Sequence, residues 1–467
     1  MRVWETTKDL RQSLGDVVKL GADGPNGTIT VNDPKALRSQ IIDDLVTTAV
    51  FSGSQSTREM ARWLIRETAL AVGVVPASIH ELYMARGRGE TSGYSVPALN
   101  LRAMVYDSAR AALRAARKLD NGLVVLELAR SEIEYTYQDP AEYATVCIAA
   151  AVKEGWQGPL FLQGDHYQVR RSRYAKDPQA ELGDLQRLIR QALAAGLYNI
   201  DIDASTLVDL DRPTVPEQQE PNYAVTASLV ETVRRNQPSG VMVSIGGEIG
   251  EVGGHNTTVE ELDAYMAGLR QSLKERGIAA GISKLSVQTG TRHGGFIMPD
   301  GSIGEAEVDF DTLRNLSREA RTRYGLSGAV QHGASTLPED MFHRFPSVET
   351  AEVHLATAFQ DIVLDHPAFP KDLAQAVRDY VFATRLSDRQ KGETEPAFLR
   401  RNRKFAHGPL KRKMWELPAP TRDTISATLE ERFAFLYDQL KVAKSRPMVA
   451  KYVKPTPVHA PKPTGVL

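Results

Sequence analysis

The pattern of apolar and polar positions changes near residue 94. Before it, the chain reads as helices and loops. Asp33-Pro34 marks a helix start, with Asp33 as N-cap and Pro34 at the first helical position, and apolar residues follow at helical spacing over 37–50. A second helix is predicted over 56–72, with Met60, Leu64 and Ile65 on one stripe. The polar, glycine-bearing stretch 86–93 reads as a connector. From Tyr94 short apolar runs alternate with longer amphipathic ones. Strands are predicted over 94–100 and 122–128, in the run from Pro159 that reaches Asp165-His166, and over 198–203, 241–245, 284–289, 328–331 and 351–355. Helices fall between them at 103–119, 141–154, 180–197, 222–236, 258–276, 310–324 and 338–342.

Eight strand-then-helix units over roughly 270 residues match a (β/α)8 TIM barrel in number and length. A doubly wound α/β sheet is the alternative, because periodicity does not register closure. The expected organisation is a helical N-terminal segment over 1–91, a barrel catalytic domain over 92–365, a helical C-terminal extension over 366–452 and a proline-rich tail over 453–467, extended or disordered. Segments 373–382 and 424–441 are the clearest helices of the extension.

Bulk properties narrow the partners. A net charge of -1 over 467 residues supplies no global field for nucleic acid or a membrane surface, so any anion site has to be local. The basic runs Arg400-Arg401-Asn402-Arg403-Lys404 and Lys411-Arg412-Lys413 carry no aromatic interleaving and read as solvated surface or subunit contact. The single cysteine, Cys147, lies in an apolar run and reads as packing; with no partner for a disulfide, the chain suits a reducing cytoplasm. No membrane-length apolar run occurs.

In a barrel of this kind the chemistry collects at the carboxyl ends of the strands. Those positions hold Asn100, Asp165-His166, Asp203 with Ser205, Glu248, His293, His332 and Thr357. Three of only ten histidines, His166, His293 and His332, occupy equivalent strand-end places. Three neutral imidazoles around a borderline-soft ion leave a coordination position open, as in catalytic zinc sites. Gly294-Gly295 and Gly333-Ala334-Ser335-Thr336 let backbone N–H groups approach an anion, in the late loops that often build a barrel's phosphate site.

These residues, in this order and spacing over about 94–357, resemble the class II (metal-dependent) fructose-bisphosphate and tagatose-bisphosphate aldolases. Val96-Pro97-Ala98-Leu99-Asn100 resembles the family's first strand, Asp165-His166 its Asp-His pair, and Ile202-Asp203-Ala204-Ser205 its Asp-x-Ser element. Glu248-Ile249-Gly250 with Gly253-Gly254 is similar to its Glu-Leu-Gly…Gly-Gly segment, Gly290-Thr291-Arg292-His293-Gly294 to its Gly-x-x-His-Gly, and His332-Gly333-Ala334-Ser335 to its His-Gly-Gly-Ser. The resemblance implies a reversible aldol cleavage of a ketose (bis)phosphate through a metal-stabilised enediolate of dihydroxyacetone phosphate. It gives Asp165 as the proton-transfer acid, with its pKa lifted by its surroundings. His166, His293 and His332 become ligands of Zn2+ or another divalent metal. Asp203 and Glu248 lie near a second or displaced cation, divalent or monovalent. Asn100, Gly294, Gly333, Ser335 and Thr357 become substrate and phosphate contacts.

Three positions, Gln163, His354 and Ala356, depart from the pattern. Gln163 stands where the family often has histidine, and His354-Leu355-Ala356-Thr357 replaces an Asn-x-Asp-Thr, which removes groups that position substrate. A metal-dependent sugar-phosphate isomerase or epimerase, or a non-catalytic aldolase-like subunit, are the alternatives. The expected partner is a small sugar phosphate, with no nucleic acid and no membrane; the family suggests a cytoplasmic homo-oligomer, dimer or tetramer.

Overall fold

A computed structural model describes residues 1–21, 29–250, 255–290, 296–304 and 307–463. Eight parallel strands form its centre: β1 Val96–Asn100, β2 Val125–Ala129, β3 Gly158–Gln168, β4 Asn199–Asp203, β5 Ser244–Glu248, β6 Lys284–Val287, β7 Ala329–Gln331 and β8 Glu352–Leu355. Each pairs with its neighbour in sequence, and β8 pairs with β1 in register Glu352↔Val96 to Leu355↔Leu99, so the sheet closes on itself. Closure decides for the (β/α)8 barrel over the open sheet.

Most helices begin where their caps dictate. Asp139 and Asp177 each accept a backbone N–H at the start of Pro140–Lys153 and Pro178–Ala195, with proline in the first turn. Thr258 and Glu261 form a reciprocal capping box on Val259–Glu275. The helix expected at 222 begins at Val215 instead, because Thr214 and Glu217 form the same box upstream of Pro221.

Two departures bear on function. The fifth strand was expected at 241–245 and lies at Ser244–Glu248, which takes Gly246 and Gly247 into the sheet and makes Glu248 its last residue. A Cβ on Gly246 would stand 2.4 Å from the Asp201 carboxylate, so only glycine lets the strand pass there. The N-terminal segment is also not purely helical. Val74–Ala77 is a ninth strand pairing with the first half of β3, while β4 pairs with β3 only from Gln163 onward. The Asn199 amide ties this wedge to the barrel floor, accepting from Ile79 N and donating to Leu162 O, each at 2.9 Å.

The extensions wrap the barrel. Ala419–Gln439 packs along Val105–Lys118, with an Arg114–Glu430 ion pair at 2.7 Å. Beyond Tyr452 the chain runs extended to residue 463. Of the first basic run, Arg400, Arg401 and Arg403 each meet a carboxylate, at Asp361, Glu393 and Asp361 respectively. Among the described residues no helix is long and apolar enough to cross a membrane.

Candidate active site

β3 is the strand that makes the site. Its pairing with β4 slips between Gly164 and Tyr167, where three steps on β3 match two on β4, and His166 takes a left-handed backbone with φ 41°. In a regular strand, neighbours such as Asp165 and His166 point to opposite faces. The bulge turns both toward the barrel mouth. Gly164 permits it, since a Cβ there would lie 2.5 Å from the buried Tyr167 ring.

His166 is the pivot. Its Nδ1 lies 3.1 Å from Asp203 Oδ2 and 3.2 Å from Glu248 Oε2. Asp203 is fixed by the Ser205 hydroxyl and the Gln168 amide, each donating at 2.6 Å. On the other side the His166 and His332 rings lie 4.1 Å apart between centroids, and Ser286 Oγ sits 3.0 Å from His332 Nε2. Asp165, His166 and His332 offer donor atoms within 4.8 Å of one another, and so do His166, Asp203 and Glu248. Nitrogen and carboxylate donors at this spacing suit a divalent ion. The electrostatics agree. Burial, and then the Asp203 carboxylate, push Glu248 up to about 7. Burial raises Asp203 too, but hydrogen bonds from His166, Ser205 and Gln168 hold it below its usual value. Burial favours neutral His166, yet Glu248 and Asp165 drive its pKa well above the ordinary value. The pocket therefore demands a positive charge, as a proton or as a metal.

Of the expected site residues, the structure brings Asn100, Asp165, His166, Asp203, Glu248 and His332 together. His293 and Gly294, with Gly253 and Gly254, lie outside the described residues. Gly333 adopts φ 72° and opens a short 3-10 turn over Ala334–Thr336. Ser335 Oγ accepts from Ala356 N at 2.6 Å, and Thr357 starts the helix Thr357–Leu364. Ser335 and Thr336 border a cleft of about 580 Å³ that Arg432 also lines.

Asp165 itself differs from expectation. The Asn100 amide donates to Asp165 Oδ2 at 3.0 Å and to Glu132 Oε2 at 3.1 Å, and Glu132 is paired in turn with Arg102 at 2.5 Å. Burial would lift the Asp165 carboxyl, but the His166, His354 and His332 imidazoles outweigh it and hold the group well below the usual range. It is ionised, not a raised acid.

Sequence reasoning missed the layer beneath. Glu127, Gln163, Asp201, Lys284, Glu352 and His354 are all buried inside the barrel. Lys284 Nζ donates to Gln163 Oε1 and Asp201 Oδ2, each at 2.9 Å, and pairs closely with Glu352. Glu127, Asp201 and His354 each sit between apolar neighbours within their strands, an alternation that signals inward-facing charge, whereas Lys284 and Glu352 open theirs.

The family model for fructose-bisphosphate aldolase class-II matches residues 87–416. The chain belongs to that family. Class II aldolases are generally metal-dependent, and the donors meeting at His166 are compatible with an ion. Among solved structures, the chain is similar to a probable tagatose 6 phosphate kinase from Sinorhizobium meliloti 1021 (15% identity, 79% of this chain and 96% of that one, TM-score 0.51). It is also similar to a fructose-bisphosphate aldolase from Campylobacter jejuni (16% identity, 80% and 97%, TM-score 0.48) and to the YdjI aldolase from Escherichia coli K12 (14% identity, 74% and 99%, TM-score 0.41). These likenesses concern the fold. No curated protein sequence matches the chain.

Proposed function

We propose that this class II aldolase family member cleaves and forms a carbon–carbon bond in a ketose phosphate, using a divalent metal, Zn2+ or another, held by His166 and His332 with His293. Asp203 and Glu248 would serve a second or displaced cation position. The observation that carries the reading is the β3 bulge, which places a carboxylate and an imidazole side by side against a second imidazole at the barrel mouth. A cation bound there supplies Lewis-acid stabilisation of the negative charge that develops beside a ketone.

The chain's own residues supply the proton transfer. Cleavage requires a base at the hydroxyl on the carbon of the breaking bond that becomes the aldehyde, and condensation returns that proton to the alkoxide formed there. Asp165, buried beside His166 at the barrel mouth and held by the Asn100 amide at 3.0 Å, is placed to take the proton in cleavage and return it in condensation. Gly333, Ser335 and Thr357, with Gly294, would receive a phosphate, with backbone N–H groups and hydroxyls as donors. The barrel's burial of Asp165 and His332 keeps bulk water from the reacting carbons. The substrate is accordingly a small sugar phosphate.

The test is aldehyde release from a panel of ketose phosphates, with elemental analysis of the purified protein. Asp165→Ala is expected to keep its metal and lose about a hundredfold or more in turnover. His332→Ala is expected to lose metal. Interconversion of ketose and aldose phosphates without aldehyde release would replace the aldolase reading with an isomerase, and full turnover in Asp165→Ala would end the role given to that residue.

A further inference from the structure

We propose that His354 is a positioning residue that holds Asp165 in its working orientation instead of touching substrate. The kinetic consequence rests on the aldolase reading; the geometry does not. His354 lies on β8 inside the barrel, 4% exposed, its ring 4.1 Å from that of His332 between centroids. Its Nδ1 stands 3.2 Å from Asp165 Oδ1 and 3.1 Å from Glu127 Oε1. Its Nε2 stands 2.7 Å from Glu352 Oε1 and 3.7 Å from Asp201 Oδ2. Nε2 is thus committed to Glu352, while Nδ1 faces the Asp165 and Glu127 carboxylates at ion-pair distance.

Asp165 is thus flanked on two sides, by the Asn100 amide hydrogen-bonded to Oδ2 and by the His354 ring at ion-pair distance from Oδ1. The clamp matters because of the bulge. The slip takes Asp165 out of the ladder on the β4 side and leaves it paired only with Ala129 of β2, so strand pairing fixes its side chain from one side alone. Misplacing a reacting group by about 1 Å can cost about a hundredfold in rate.

His354 is anchored in turn. Glu352 accepts from Gln163 at 2.8 Å, from Lys284 and from the Tyr83 hydroxyl. Tyr83 belongs to the helix His80–Gly87, which precedes the first barrel strand. A continuous polar column therefore runs from that helix through Glu352 and His354 to Asp165 and Asn100. It gives the strand-eight histidine, where aldolases of this family carry asparagine, an inward task.

Crystal structures and steady-state kinetics of the metal-loaded wild type, His354→Ala and His354→Gln test this. His354→Ala should lose about a hundredfold in kcat, with KM changed less than about threefold, metal content unchanged, and the Asp165 carboxylate beyond hydrogen-bond reach of Asn100. His354→Gln, whose amide can still donate to Asp165, should recover about tenfold of that loss. Should His354→Ala fail to fold, His354→Gln decides by the same readouts, with an intermediate loss in kcat. An unchanged kcat, a rise in KM alone, loss of bound metal, or an Asp165 that stays on Asn100 would each overturn the proposal. If the wild type cleaves no ketose phosphate, the aldolase reading falls, and the Asp165–Asn100 separation alone decides the positioning role.

Discussion

Gly164 controls how the reactive pair is presented. With no side chain it lets the Tyr167 ring fold back under the bulge, and that ring's place is what allows Asp165 and His166 to share one face. Gly164→Ala is expected to cost about 1–3 kcal/mol, the usual penalty for overpacking, and to weaken metal binding as the bulge relaxes. A variant with the wild-type melting temperature and metal stoichiometry would show that Tyr167 swings aside freely. At this scale the sequence is informative about identity and silent about direction. Asp165-His166 stands out in the chain as an ionisable pair ending an apolar run, yet nothing in its composition reports a register slip. Asn100 shows the same limit: its strand-end place marks it as part of the site, but only coordinates reveal its amide engaged by Asp165 and Glu132. The lowered pKa of Asp165 was equally unreadable, because beside its neighbour His166 it follows from His354 and His332, delivered by distant strands.

Elements were legible where their periodicity was long. The helix Phe310–Tyr324 lies where the pattern places it, and Val105–Lys118 nearly so. The fifth strand was placed early because its apolar run stops at Ile245, whereas the strand continues through two glycines whose lack of side chains is what Asp201 and Tyr265 require of them. The four-residue strand Val74–Ala77, interrupted by Pro76, offers too short a run to separate from loop. The extension elements carry a pH dependence of their own. His407, at the end of the 3-10 helix Arg403–Ala406, is buried against Gln360 at 3.0 Å. Burial, with the nearby Arg102 and Arg403 guanidinium groups, pushes its pKa down to about 3. In the unfolded chain it titrates near 6.5. Above that pH both states are neutral and its contribution is complete. As pH falls below 6.5 only the unfolded chain takes up the proton, so stability drops until about 3. His407→Gln, which keeps a donor for Gln360 without a titrating ring, should flatten the fall in melting temperature between roughly pH 6.5 and pH 4. An identical slope in both proteins would mean that other groups set the acid sensitivity.

At the scale of the whole molecule, a chain of near-zero net charge distributes its cations locally. The 400–403 run was read as solvated surface or subunit contact; instead Arg400 and Arg401 are half-buried and Arg403 buried, each against a carboxylate of its surroundings, a packing that composition does not announce. The proline-rich tail was read as extended or disordered. It is extended, and what orders it is a contact between the two ends of the chain that no local pattern announces. Glu67, buried in the helix Gln55–Ala71, accepts from Ala460 N at 2.8 Å and meets His459 Nδ1 at 2.6 Å. Arg66 reaches Val458 O at 3.1 Å, and Thr456 Oγ1 donates to Gly240 O at 3.0 Å. These contacts lie on the side of the barrel where Val74–Ala77 enters, at the amino ends of the strands and opposite the mouth that holds Asp165. A chain ending at Tyr452 leaves the Glu67 carboxylate buried without these partners, at a cost of the order of 1–3 kcal/mol. Its melting temperature should fall by about 2–5 °C, while kcat/KM stays within about twofold of the full chain, since nothing at the barrel mouth is touched. Differential scanning calorimetry beside the aldehyde-release assay reads both quantities. A truncated chain that melts normally would show that Glu67 is resolvated without penalty. One that melts normally but loses turnover would mean that the tail acts on the barrel mouth from the opposite end of the barrel.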